Sequence, residues 1–292
     1  LGTLGFAAHW CAEIFSKKRI PDVLMLMLIG IIIGPVLKIV DGDKLNSMGT
    51  IFGQLTLVIL LFESGTELSF KTLADSIKNT VTLTIVNFIA TFLTVGFFSW
   101  LILDMNPGIS FMLGAALGGS SSAVAIPLVK QISIGEKGKT ILILESAFNA
   151  ILCIVVTLAI IESYQAGEVK IGIIFGQVFS SFLLASIIGL LGAIFWSMIL
   201  DKVRTIDNSI FTTPAFVFII YGINELLGYS GIISALAFGI GLANMETIHD
   251  KWLKKFFDRK PTLLNPTEKT LFSELVFLMK TFFFVYVGIA IK

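Results

Sequence analysis

The sequence predicts an all-α membrane protein, and three observations carry that prediction. Only 14% of its 292 residues are charged while 55% are hydrophobic, where a soluble domain carries roughly a quarter charged. Apolar runs of about 20 residues, enough for a helix to cross a bilayer, recur along the whole chain. Lysine and arginine cluster in alternate gaps between those runs. A large soluble core accounts for none of the three. The 26 phenylalanines suit a lipid-facing surface, and the 26 glycines match the greater use of glycine in membrane helices.

About ten apolar segments can be drawn, at 1–16, 20–39, 47–66, 80–103, 109–130, 140–161, 171–200, 209–227, 229–245 and 271–291. Short loops join them, so 1–292 reads as a single membrane domain. The loops after odd-numbered segments hold most of the basic residues: Lys17, Lys18 and Arg19, then Lys71 and Lys78, Lys130, Lys137 and Lys139, and Lys202 and Arg204. The opposite side holds only Lys38, Lys44, Lys170 and Lys292. This is the positive-inside pattern, and it places the ends of the odd-numbered segments in the cytoplasm. The longest loop, 245–270, adds Lys251, Lys254, Lys255, Arg259, Lys260 and Lys269 together with Trp252. That composition predicts a basic amphipathic stretch lying on the membrane surface.

Several function classes are excluded at this level. A net charge of +1 with no basic tract gives nothing for nucleic acid to bind. Cys11 and Cys153 both stand in apolar context and read as buried free thiols rather than a disulfide. His9 and His249 are isolated, so no metal-ligand spacing exists and no cofactor is expected. No nucleophile, base and orienting group lie together, which argues against an enzyme. No filter-like repeat argues for a channel.

The informative residues are polar ones inside apolar segments. The fifth segment contains Gly118-Gly119-Ser120-Ser121-Ser122 at mid-depth, followed by Pro127. Glycine and serine weaken a helix and proline removes a donor, so the segment reads either as a broken helix lining an ion site or as a surface for tight helix packing. In the sixth segment Glu145 and Asn149 are four residues apart on one face, with Ser146 beside them. A carboxylate at that depth is expensive and marks an ion or proton pathway. It needs a partner, and Lys280 in the last segment is the candidate for an ion pair at similar depth. Lys280 could instead snorkel to the cytoplasmic interface, and Glu274 competes as a partner. Glu63 in the third segment could line an entry funnel or simply end its helix, while Glu67 is interfacial. Asn87, Asn224 and Glu225 read as packing or interface residues.

At these residues the chain resembles the monovalent cation/proton antiporter superfamily, in its NhaP and Kef-like branches. The likeness runs along the whole chain. Arg19-Ile20-Pro21-Asp22-Val23-Leu24 with Gly30 and Gly34-Pro35 resembles the family's second helix, and 60–68 (Leu60 to Leu68, with Glu63 and Glu67) its third. The run 114–123 resembles the broken helix, Glu145-Ser146-Ala147-Phe148-Asn149-Ala150 the Glu-Ser-x-x-Asn-Asp signature, and 283–288 the later helix that carries a basic residue, here Lys280.

That resemblance implies a thirteen-helix inverted-repeat fold with broken helices. One domain moves against another, so that a buried carboxylate meets protons or a sodium ion from either side in turn. It implies a cell-membrane protein forming a homodimer in the lipid bilayer, exchanging Na+ or K+ for protons. Carried over by position, the ion site would comprise Ser120, Ser121, Ser146, Asn149 and Ala150, with Glu145 and Lys280 as an ion pair. Ala150 stands where the family places its ion-carrying aspartate, so exchange is expected to be severely impaired. The alternative is a non-transporting membrane sensor or regulatory pseudo-transporter. A start at Leu1 in mid-helix character and a stop at Lys292 predict a chain truncated at its C-terminal end and trimmed at its N-terminus.

Overall fold

The computed structural model describes residues 22–40, 42–120, 122–166, 171–205, 209–250, 254 and 262–291. The first apolar segment, Ser121 and most of the basic stretch after Asp250 lie outside the described residues. The fold is all-helical. Helix α1 runs Asp22–Ile31 and continues as a π-helical turn, Ile32–Val36, in which Pro35 ends the helix; α2 is Gly42–Thr66, α3 Phe70–Ile102, α4 Pro107–Leu117 and α5 Ser122–Gln131. Then follow α6 Glu136–Ala166, α7 Ile171–Val203, a short turn at Ser209–Phe211, α8 Thr212–Leu226, α9 Gly231–Ala243, α10 Met245–Ile248 and α11 Pro266–Ala290.

Local chemistry sets the ends. Ser69 accepts from the backbone of Thr72 to start α3, and Asn106 with Pro107 starts α4. Asn265 and Glu268 close a capping box over the first turn of α11, again with proline at its first position. Because of the Ser69 cap, α3 begins ten residues before the apolar segment expected at 80–103. Lys71, Asp75 and Lys78 prolong the helix beyond the apolar part without breaking it.

Helix α3 is turned inside out relative to a soluble helix. Its buried face is Ser76, Thr80 and Thr84, while Ile77, Val81, Leu83, Ile85, Val86 and Ile89 are exposed. In water that arrangement would expose the apolar side and bury the polar one; in lipid it is the favourable one. Four described helices, Phe70–Ile102, Phe179–Val203, Ser209–Leu226 and Pro266–Ala290, are long and apolar enough to cross a membrane. The protein is an integral membrane protein.

Two groups of helices emerge from the packing. α3, α4, α5 and α6 pack on one another, and α1, α2, α7, α8, α9 and α11 form a second group. They meet where α2 leans on α5 and α6 on α7. That seam is greasy: Leu60 and Leu61 of α2, Ile126 and Val129 of α5, Ile143 and Leu144 of α6, and Ile233, Leu236 and Ile240 of α9 share one cluster. The chain passes from one group to the other between α2 and α3. There the side chain of Asn244, just after α9, accepts from Phe70 N at 2.8 Å and donates to Leu68 O at 2.7 Å.

A polar clamp ties α7 to the start of α11 in the second group. Arg204 Nε donates to Glu268 Oε1 at 3.0 Å, and its Nη2 reaches both Glu268 Oε2 and Leu263 O. Glu268 is buried and is also the acidic member of the capping box. Its loss therefore strands a partly buried guanidinium and opens the helix start together. Glu268→Ala is expected to destabilise by about 2 kcal/mol, below the 3–5 of a fully buried pair because Arg204 keeps some solvent. Thermal unfolding in detergent measures it. The control is Glu136→Ala, which breaks the exposed pair with Lys139 and should shift nothing measurable.

Candidate ion-binding site at a broken helix

The backbone leaves the helix between Leu117 of α4 and Ser122 of α5. Gly118 lies under the Phe88 ring, and a Cβ on Gly119 would stand 2.7 Å from Cys153 Sγ. Both positions therefore need the smallest residue, and two glycines followed by serines hold a helix poorly. Pro127 does not make the break. It stays inside α5, where it removes a single backbone donor.

Glu145, on α6, is 5% exposed and lies against that break. Its Oε1 accepts from Asn87 Nδ2 of α3 and from Asn149 Nδ2 of its own helix, each at 3.0 Å. Its Oε2 accepts from Ser120 Oγ, in the unwound backbone, also at 3.0 Å. All three donors are neutral. A hydrogen bond to a charged group contributes about 1.5–3 kcal/mol, so three of them are comparable to the several kcal/mol of carrying one charge in the bilayer. The carboxylate can be held here without an ion pair. Among the described residues no three His, Cys, Asp or Glu side chains come together, so the donor set is one carboxylate among neutral oxygens. That set suits a proton or a monovalent cation better than a divalent metal.

The other expected residues fall out as follows. Ser146 is fully buried and donates to Ile143 O at 2.9 Å. Asn149 is buried with its Oδ1 toward Cys153 Sγ. Ala150 is half-buried on α6 and presents only a methyl group. Lys280 is half-buried on α11, a helix that packs chiefly on α1 and α2. Glu63 is buried in α2, in the second group, one turn before Thr66, whose hydroxyl donates to Glu63 O. Glu225 closes the turn from α8 to α9 by accepting from Gly231 N. Asn87, read from the sequence as a packing or interface residue, is the α3 side chain that reaches Glu145. The polar spacing Ser76, Thr80, Thr84, Asn87 along one face of α3 was the available signal.

Residues 5–292 match the family described as sodium/hydrogen exchanger, transmembrane. The chain belongs to that family. Among relatives of this chain, Na(+)/H(+) antiporter 1 of Methanocaldococcus jannaschii is 26% identical, over all of this chain and 68% of that protein. The Na(+)/H(+)-K(+) antiporter GerN of Bacillus cereus is 22% identical over 79% of this chain and 59% of its own length. The solved sodium proton antiporter MjNhaP1 from Methanocaldococcus jannaschii, at pH 8, superimposes with a TM-score of 0.71 at 23% identity, over all of this chain and 69% of that one. At that identity the likeness is one of fold. This member of the exchanger family spans about two thirds of the length of the relatives it matches.

Proposed function

We propose that the chain is the greater part of a cell-membrane antiporter that exchanges a monovalent cation, Na+ or K+, for protons by alternating access. Exchange is severely impaired as the chain stands, because Ala150 can neither titrate nor coordinate. The observation that carries this reading is the hydrogen bond from Ser120, in the unwound backbone, to the buried Glu145. It joins a carboxylate, able to hold a proton or a cation in turn, to the freed backbone groups of a broken helix. Broken helices at mid-membrane are how secondary transporters build ion sites. Separate helix groups meeting at an apolar seam supply the two bodies that alternating access needs. A homodimer belongs to the same proposal, carried by the family resemblance.

A second reading has one observation in its favour. With Glu145 as the one carboxylate bonded at the break among the described residues, the site could bind a cation without exchanging it, which makes the protein a sensor. Sodium- and potassium-driven proton flux in proteoliposomes, compared between the chain and Glu145→Gln, separates the two. A small flux that the Gln variant abolishes supports the antiporter. Cation binding with no flux in the parent supports the sensor. Folded parent protein showing neither binding nor flux overturns both.

A further inference from the structure

We propose that Asn87 belongs to the ion site, as the positioning residue that holds the Glu145 carboxylate with one oxygen turned to the helix break. This rests on the reading of Glu145 as the cation-binding carboxylate. Asn87 stands at the end of a polar face on α3 whose two threonines are satisfied within their own helix, while the Ser76 hydroxyl is buried without a hydrogen-bond partner. Thr80 donates to Ser76 O at 3.0 Å and Thr84 to Thr80 O at 2.9 Å. Asn87 sends its donor across to another helix, and it lands on the Glu145 carboxylate at the break.

The geometry assigns it a specific task. Two amides, Asn87 from α3 and Asn149 from α6, converge on Oε1 at 3.0 Å each. One amide would fix the distance of that oxygen; two, coming from different helices, also fix the rotation of the carboxylate plane. Oε2 is then left facing the unwound backbone, where Ser120 is its partner. Asn149 rides on the same helix as Glu145 and moves with it, so Asn87 is what references the carboxylate to α3 and, through α3, to α4 packed on it. A freely turning carboxylate would bind a cation less well, because the ligand would have to be oriented at the moment of binding.

The ordinary reading of such a contact is glue between membrane helices, and the two make different predictions. Asn87→Leu has similar volume and no donor; Asn87→Gln keeps the amide. The readout is the rise in unfolding temperature of the full chain in detergent across a Na+ or K+ titration at constant ionic strength, run on the parent and on the Ala150→Asp variant. In any background that responds, Asn87→Leu should need at least about tenfold more cation for the same rise, the effect of losing one hydrogen bond to a charged group. Asn87→Gln should keep more of the response. A lowered starting temperature with unaltered cation dependence in Asn87→Leu makes Asn87 glue and overturns the proposal while sparing the function. No cation-dependent rise in either background overturns both.

Discussion

Ala150→Asp is expected to raise sodium-driven proton flux in proteoliposomes by about a hundredfold or more over the parent chain. The figure follows from the cost of an uncompensated charge at the bilayer centre, at least roughly 3 kcal/mol, with each 1.36 kcal/mol worth tenfold in rate. As the chain stands, one carboxylate must serve both ions, and the neutral oxygens of Ser120, Ser146 and Asn149 supply dipoles but no charge. Position 150 is five residues beyond Glu145 on α6, well round the helix from it. An aspartate there adds a second negative group rather than crowding the first, and the half-buried methyl it replaces leaves one side open. Equal flux in parent and variant would show that exchange runs through Glu145 alone and that Ala150 impairs nothing. No flux in either, from folded protein, would remove the antiporter reading.

The largest effect on folding is expected at the crossing of α2 and α9. A Cβ on Gly239 would run into Phe62 O and come within 3.1 Å of Gly65 Cα and Thr66 N, all of them backbone atoms of α2. Gly65 faces the same crossing from the other side, against Leu236 O. Backbone cannot swing aside as a flexible side chain can, so any side chain at 239 must push the two helices apart. That separation would also open the cluster of Phe62, Phe238 and Phe272, whose rings stack and tilt across the same crossing. Gly239→Leu is expected to cost on the order of 4 kcal/mol or more. Size-exclusion profiles and thermal unfolding in detergent should show loss of monodisperse folded protein. The comparison is Gly222→Leu, where no atom lies within 4 Å of the added Cβ and little change is expected. A Gly239→Leu protein that unfolds at the parental temperature would mean that the crossing is looser than this geometry allows.

The site was partly legible in the sequence. Glu145, Asn149 and Ser146 announced themselves because a polar group in an apolar run is costly wherever it sits, and that cost is local. The break at 118–120 was legible for the same kind of reason, since consecutive glycines and serines weaken a helix without help from neighbours. The hydrogen bond from Asn87 to Glu145 was not. Depth along a segment can be counted from residue numbers, and that is what makes Lys280 a candidate partner. Which face of which helix meets another depends on azimuth and on helix grouping, and that is what brings Asn87 onto the carboxylate.

The membrane class and the family's motifs were therefore determined by the sequence alone, because each depends on composition, local propensity or linear spacing. The division into two helix groups, the apolar seam between them and the neutral three-donor setting of Glu145 were decided only by the tertiary structure. Each of those requires close approach between segments tens of residues apart, as Asn87 is from Glu145. Such approach is governed by small residues at crossings, Gly65 and Gly239 among them, whose effect depends entirely on what packs opposite.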